Sequence, residues 1–185
     1  MTTLAISTAQ ELDQLTQAVR AAADRTVRAV RDILSSESDS LQVLRLMKFS
    51  EIGHHPVDDR PLNLIEQVNQ TFTYLVSLEA ARWLLIQHPG LDGLTINLGT
   101  SAGFDLESRP PGIIAAEAFA ATHPGSNDKL RKDIKRLADK ASGARHRYVF
   151  FSAPKFASGR QAQLESVNGI EVWSFSADSL LKGAV

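Results

Sequence analysis

The chain contains no cysteine, which excludes disulfide bonds, thiolate metal sites and a cysteine nucleophile, and fits a reducing, cytoplasmic setting. It has no apolar run of membrane-spanning length. Its first residues, "MTTLAISTAQELDQL", lack the basic flank and apolar core of a secretory signal, so a soluble protein with no membrane partner is expected. Neither sign of charge dominates: 20 Lys and Arg stand against 21 Asp and Glu. Any affinity for phosphate must therefore come from a local patch. Also missing are a Gly-rich phosphate loop, a Ser-His-Asp arrangement, internal repeats and low-complexity tracts. What is there, 185 residues of which 43% are hydrophobic, suffices for one full core with a helical extension, and would be cramped as two independent domains.

The hydrophobic period is helical in the first half. Leu12, Leu15, Val19, Ala22, Val27, Val30 and Leu34 recur at three- and four-residue spacing, predicting an amphipathic helix from Thr8 to about Leu34. "SSESDS" breaks it, a shorter helix follows over Ser40 to Met47, and Gly53, Pro56 and Pro61 make "EIGHHPVDDRP" a loop. Residues 1–61 thus read as an N-terminal helical extension, and 62–185 as an α/β core. The core opens with a long helix ending before Gly90, its apolar stripe at Ile65, Val68, Phe72 and Leu75. The period then becomes strand-like: "LTINLG", "GFDLES" and "GIIAAEAFA", separated by Gly and Pro, predict a three-strand meander. A helix over "SNDKLRKDIKRLADKAS", capped by Ser or Asn, a buried strand at "RYVFFSAP", a short helical turn within Gly159 to Leu164, a strand at "IEVWSFS" and a last helical turn near Leu180 complete the chain. This order predicts an α/β sandwich with a mixed sheet of about five strands, antiparallel at its start and parallel after the helix crosses over.

Two acids stand inside the meander. Alternation puts Asp105 and Glu107 on one face of their strand, and Ile113, Ala115, Glu117 and Phe119 on one face of the next. The intervening "RPPG" invites an antiparallel turn, which would set Asp105 beside Glu117. Two adjacent carboxylates repel and are costly to bury unless a cation or a strong donor compensates. Ion pairs with Arg82, Arg109 or a lysine of the next helix would do so; so would a divalent metal. Alanines at 115, 116, 118 and 120 leave room around Glu117 for something to approach. Oxygen ligands on rigid strands suit Mg²⁺ (or Mn²⁺), which takes one or two carboxylates plus phosphate oxygens and can activate water at a phosphodiester.

With its helix, meander, helix and strand, the segment from Leu62 to Phe175 resembles the PD-(D/E)XK nuclease superfamily, the restriction-endonuclease-like fold. In that family a glutamate-bearing helix precedes the meander, the second strand ends in an aspartate, often as "G-x-D", and the third carries "(D/E)-x-K". Here "GFD" supplies Gly103 and Asp105, and "AEAF" supplies Glu117. The resemblance implies an α/β/α sandwich, a metal held by Asp105 and Glu117, and hydrolysis of DNA, with a restriction or phage-defence setting. The motif lysine is replaced by Phe119, so its role would pass to Lys129 or Lys132 on the following helix, a migration that some members of the family show.

Glu66 is the helix acid of choice over Glu79: with Gln70, Thr73 and Ser77 it forms an uncharged polar stripe apart from itself, as expected of a face turned to a site. As a capping residue of the first turn it would have a plainer role. On the helix after the meander Lys129, Lys132, Arg136 and Lys140 share one stripe; with Arg131, Lys135, Arg145 and Arg147 they make eight bases against Asp128, Asp133 and Asp139. Such a helix would hold a nucleic-acid backbone, with Gln70, Lys132, Arg136 and Lys140 as substrate contacts. A solvated face would carry the same charges. His54 and His55 in "HHPVDD" diverge too much to share an ion and are expected near the mouth of the site; His123 follows the catalytic strand.

The leading expectation is therefore a Mg²⁺-dependent DNA endonuclease, and because nucleases that cut both strands commonly pair, a homodimer. The alternatives are a catalytically silent nuclease-fold module that binds nucleic acid or a protein, which Phe119 favours, and an α/β enzyme acting on a small phosphorylated substrate in a closed pocket.

Overall fold

The computed structural model of the protein describes residues 2–99 and 102–182. In chain order the elements are β1 (Thr2–Ile6), α1 (Ala9–Ser36), α2 (Ser40–Phe49), β2 (Gly53–His54), β3 (Pro61–Leu62), α3 (Leu64–Gln87), β4 (Gly93–Leu98), β5 (Leu106–Arg109), β6 (Ile114–Ala120), α4 (Lys129–Lys140), β7 (His146–Ser152), β8 (Gly159–Arg160), β9 (Glu171–Ser174) and α5 (Ala177–Lys182). Short 3₁₀ turns lie at Ser126–Asp128 and Ala162–Leu164. Helix α1 starts where a capping box can form: the Thr8 hydroxyl accepts from the Glu11 amide at 3.2 Å and the Glu11 carboxylate accepts from the Thr8 amide at 2.9 Å. Asn63 caps α3 by accepting from the Glu66 amide at 2.9 Å.

Seven strands form one mixed sheet in the order β1-β4-β5-β6-β7-β9-β8. The meander β4-β5-β6 is antiparallel, as the turns between its strands require. Strand β7 pairs parallel to β6 after α4 crosses over, and β9 pairs parallel to β7. Helices cover both faces. On one, α1, α3 and α5 enclose Leu12, Leu78, Leu84, Ala116, Ala118, Phe150 and Leu180. On the other, Leu130, Ile134 and Leu137 of α4 pack on Ala115, Phe119, Val149 and Phe151. The general α/β class and the mixed sheet agree with the sequence, and none of the described helices is long and apolar enough to cross a membrane.

Four features depart from the expectations. The sheet has seven strands instead of about five, because β1 pairs with β4 across the N-terminal helices and the two-residue β8 edges β9. Gly93 makes the first of these pairings possible: it sits at φ +144, and a Cβ there would lie 2.4 Å from the Ile6 carbonyl oxygen. The loop before α3 contains a small β2-β3 ribbon. The α4 cap is Asp128, in a left-handed conformation and without a side-chain capping bond, in place of Ser or Asn. Lastly, the predicted apolar stripe of α3 does not face the core in its first three turns: Ile65, Val68 and Phe72 are exposed, whereas Gln67 and Tyr74 are buried. A polar contact explains that rotation, since Gln67 accepts from the His54 amide of β2 at 2.7 Å and so turns this face of α3 to the ribbon.

Candidate active site

Asp105 immediately precedes β5, at its start and not at its end, and the register that pairs Leu106 with Ala116 brings it opposite Glu117. Its position is fixed at both levels of structure. Asn97 donates from its backbone to the Asp105 carbonyl at 2.9 Å and from its side chain to the Phe104 carbonyl at 2.6 Å. The Asp105 carboxylate itself accepts from the Ala118 amide at 2.8 Å. Glu117 points to the α4 side of the sheet with Ala115 and Phe119, and is 0% exposed.

The sequence treated Asp133 only as a counter-charge, yet it belongs to this cluster. It is buried beneath α4, and its negative field reaches Glu117. The signal was present: position 133 falls among Leu130, Ile134 and Leu137 on the face of α4 that packs on the sheet. Burial and the neighbouring Asp105 and Asp133 charges push the Glu117 carboxyl up to about 9, against a smaller opposing pull from Arg136. Burial likewise raises Asp133, with Lys129 pulling it back.

The cations of α4 divide between partners and cleft. Lys129 donates to Asp133 at 2.6 Å, and its ammonium lies 5.6 Å from the centre of the Phe119 ring, so it reaches over the residue that stands where the motif lysine was expected. Lys132 donates to the Asn127 carbonyl at 2.9 Å. Arg136, expected as a substrate contact, turns inward: its Nη1 donates to Glu117 Oε2 at 3.3 Å and lies 3.1 Å from Oε1, its Nη2 donates to the Gly103 carbonyl, and the guanidinium covers the Phe104 ring. Arg131 pairs with Asp128 and Lys135 with Asp139, while Lys140 is exposed at the end of the helix. Four of the eight bases thus hold carboxylates of the chain itself, which leaves a weaker basic patch than the sequence suggests. Asp133 Oδ2 is buried and accepts no hydrogen bond, and buried Glu117 Oε1 is met only by the Arg136 ion pair.

A cleft of about 510 Å³ opens beside Asp105 and is lined by Asn69, Thr73, Phe119, Asn127, Lys129 and Lys132 among others. It adjoins a smaller one of about 240 Å³ that adds Gln70, Tyr74, Ser77 and Asn97. The polar stripe of α3 therefore does line the site through Gln70, Thr73 and Ser77. Glu66 does not: it is exposed and its carboxylate accepts from the Asn63 side chain at 3.1 Å, the capping role. Glu79 lies 3.7 Å from Arg82, which in turn pairs with Asp13 at 2.7 Å. His55 is buried, its Nδ1 2.8 Å from Asp58 and its Nε2 2.8 Å from the Tyr74 hydroxyl, which reaches Gln70 at 3.3 Å. It supports the cleft wall from behind. His54 lies 3.8 Å from Asp59, and His123 is exposed and accepts from the Gly125 amide. A separate cavity of about 530 Å³ lies at the other end of β7, where Arg160 is paired with Glu165 and Glu171.

Among the described residues no group of three or more His, Asp or Glu side chains is arranged to enclose a metal ion by itself. Comparisons of the chain with protein-family models, with curated proteins and with solved structures gave no match.

Proposed function

We propose that the protein is a divalent-cation-dependent endonuclease on a restriction-endonuclease-like core, hydrolysing DNA phosphodiesters at the cleft beside Asp105. One observation carries this reading: buried Glu117 and Asp133 face half-buried Asp105, with Asp133 Oδ2 accepting no hydrogen bond, Glu117 Oε1 met only by the Arg136 guanidinium, and a lysine alongside. Burying acids in this way is costly unless a ligand offsets it, and unfavourable clusters of titratable groups concentrate at functional sites. The order of antiparallel meander, crossover helix and parallel strand, with α3 and α4 on opposite faces, supports it further.

The oxygen donors are of the kind Mg²⁺ or Mn²⁺ takes: Asp105 at the cleft and, once Arg136 lets it go, Glu117 behind it would hold the ion, leaving other positions to water and phosphate oxygens. When bound, the ion supplies Lewis acidity at the phosphodiester and a more acidic water. Glu117 must release its proton to ligate, which couples metal affinity to pH. Lys129 takes the place of the motif lysine, its charge held by Asp133 at the cleft wall. Lys132, Gln70, Asn69 and Thr73 orient the nucleic-acid backbone. Glu66 has no part in this assignment.

Arg136 favours a second reading, a catalytically silent module, because an internal guanidinium already occupies the Glu117 carboxyl. Isothermal titration with Mn²⁺, wild type beside Asp105→Ala, followed by plasmid cleavage in Mg²⁺, Mn²⁺ or EDTA, separates the two. The nuclease reading expects metal binding and cleavage that both vanish in the variant. DNA binding that depends on salt but not on EDTA, with no cleavage, establishes the silent module; cleavage by Asp105→Ala at the wild-type rate removes the site assignment.

A further inference from the structure

The last turns of α1 and the whole of α2 form a helical hairpin, with α2 also touching α3, that leaves much of its apolar surface uncovered. From position 27 to 52 the chain has twelve apolar residues, of which five are exposed, seven half-buried and none fully buried. Leu41 is 77% exposed, Phe49 70%, Leu44 61% and Leu34 56%. The earlier turns of the same helix behave differently: Leu12, Val19 and Ala22 are buried against the core. Single exposed hydrophobic residues are ordinary; a run of them on one supersecondary unit marks a surface that another molecule covers.

The chemistry of the hairpin narrows the occupant. Residues 24–51 contain five bases (Arg25, Arg28, Arg31, Arg45, Lys48) and five acids (Asp24, Asp32, Glu37, Asp39, Glu51). A nucleic-acid surface would need an excess of bases, and an interfacial membrane helix a polar face rich in Lys and Arg. A balanced set allows a surface to match itself: with Arg25 held by Asp59, a two-fold axis can still set one copy's remaining bases against the other's acids. Area agrees, because Val27, Leu34, Leu41, Leu44 and Phe49 leave roughly 600 Å² exposed and their half-buried neighbours bring each copy close to the ~800 Å² that a stable interface takes from each partner. Geometry agrees too, since two helical hairpins packed face to face close a four-helix bundle that covers the side left open away from α3.

We propose that the α1-α2 hairpin is a self-association arm, through which two copies of the chain pair about a two-fold axis as a four-helix bundle. The inference rests on the hairpin alone and is independent of the reading of the cleft. Light scattering coupled to gel filtration of the full chain, at about 10 and 100 µM so that mass action is visible, compares wild type with Leu41→Glu/Leu44→Glu. The expected result is wild type at twice 20.2 kDa and the variant at 20.2 kDa with an unchanged far-UV spectrum. Both positions are exposed, so the fold should survive; if the double variant unfolds, Leu44→Ser asks the same question, with self-association expected at least tenfold weaker than in wild type. A wild-type monomer at both concentrations overturns the proposal, as does a dimer that both variants leave intact. Monomeric wild type that binds anionic vesicles or DNA through Leu41 and Leu44 overturns it in favour of those partners.

Discussion

Glu117→Gln should make the protein more stable, and increasingly so as pH rises. The ordinary glutamate value is 4.5, and in the folded protein the carboxyl is pushed up to about 9 by burial and by Asp105 and Asp133. The sign follows from linkage. The folded value is raised, so below about pH 4.5 both folded and unfolded states hold the proton and nothing is lost. Above it, the unfolded chain releases the proton while the folded chain keeps it, and stability falls until the folded group also ionises near pH 9. At about 1.4 kcal/mol per pH unit, the cost at pH 7 reaches about 3 kcal/mol. Glutamine cannot ionise and fills nearly the same volume, but its amide must find partners in a site made for a carboxyl, which returns about 1–2 kcal/mol. The net expectation is a gain of about 1–2 kcal/mol at pH 7, or a rise in Tm of about 2–8 °C for a chain of this size. Thermal and urea unfolding at pH 5, 7 and 8.5, without added metal, gives the test. Wild-type stability should fall relative to the variant across that range, and the gap should be smallest at pH 5. Parallel pH profiles, or a variant less stable at every pH, would refute the view that Glu117 is a destabilised group held for a ligand.

The same coupling predicts that Mn²⁺ affinity, read by titration calorimetry in two buffers of different ionisation enthalpy, rises with pH and is accompanied by proton release from Glu117. If the site cleaves DNA, Lys129→Ala should lower the rate about 100-fold while Lys132→Ala acts mainly on KM, since only Lys129 reaches over Phe119 to the acids. His55→Ala removes the buried partner of the Tyr74 hydroxyl and should cost about 2–4 kcal/mol in urea unfolding. Burial holds His55 below its ordinary value of 6.5, so its contribution is present above that pH and is lost as pH falls below it; the variant's unfolding should lack that acid-side dependence. Gly93→Ala places a methyl 2.4 Å from the Ile6 carbonyl oxygen and should break the β1-β4 pairing, at a cost of several kcal/mol seen as a lowered Tm.

Local chemistry was legible in the sequence wherever the physics is local. Hydrophobic period and breakers placed α1, α2, α3 and α4 within a few residues, although the cap of α4 differed, and alternation in "GIIAAEAFA" set Glu117 and Phe119 on one face of β6. The "RPPG" turn between two strand-like runs was enough to bring Asp105 opposite Glu117, because antiparallel register across a short turn leaves little freedom. Tertiary packing decided what no neighbour in sequence could. Strand β1 exists because β4 offers it an edge, and Gln67 and His54 rotate α3 so that Phe72 faces out. Asp133 reads as one of three acids on a basic helix until the fold buries it beside Glu117. Arg136 reads as a hand for phosphate, yet the way α4 lies on β6 turns it to Glu117 and the Gly103 carbonyl. Charge and periodicity specify which face a side chain leaves from; only the three-dimensional path of the chain specifies what it meets there.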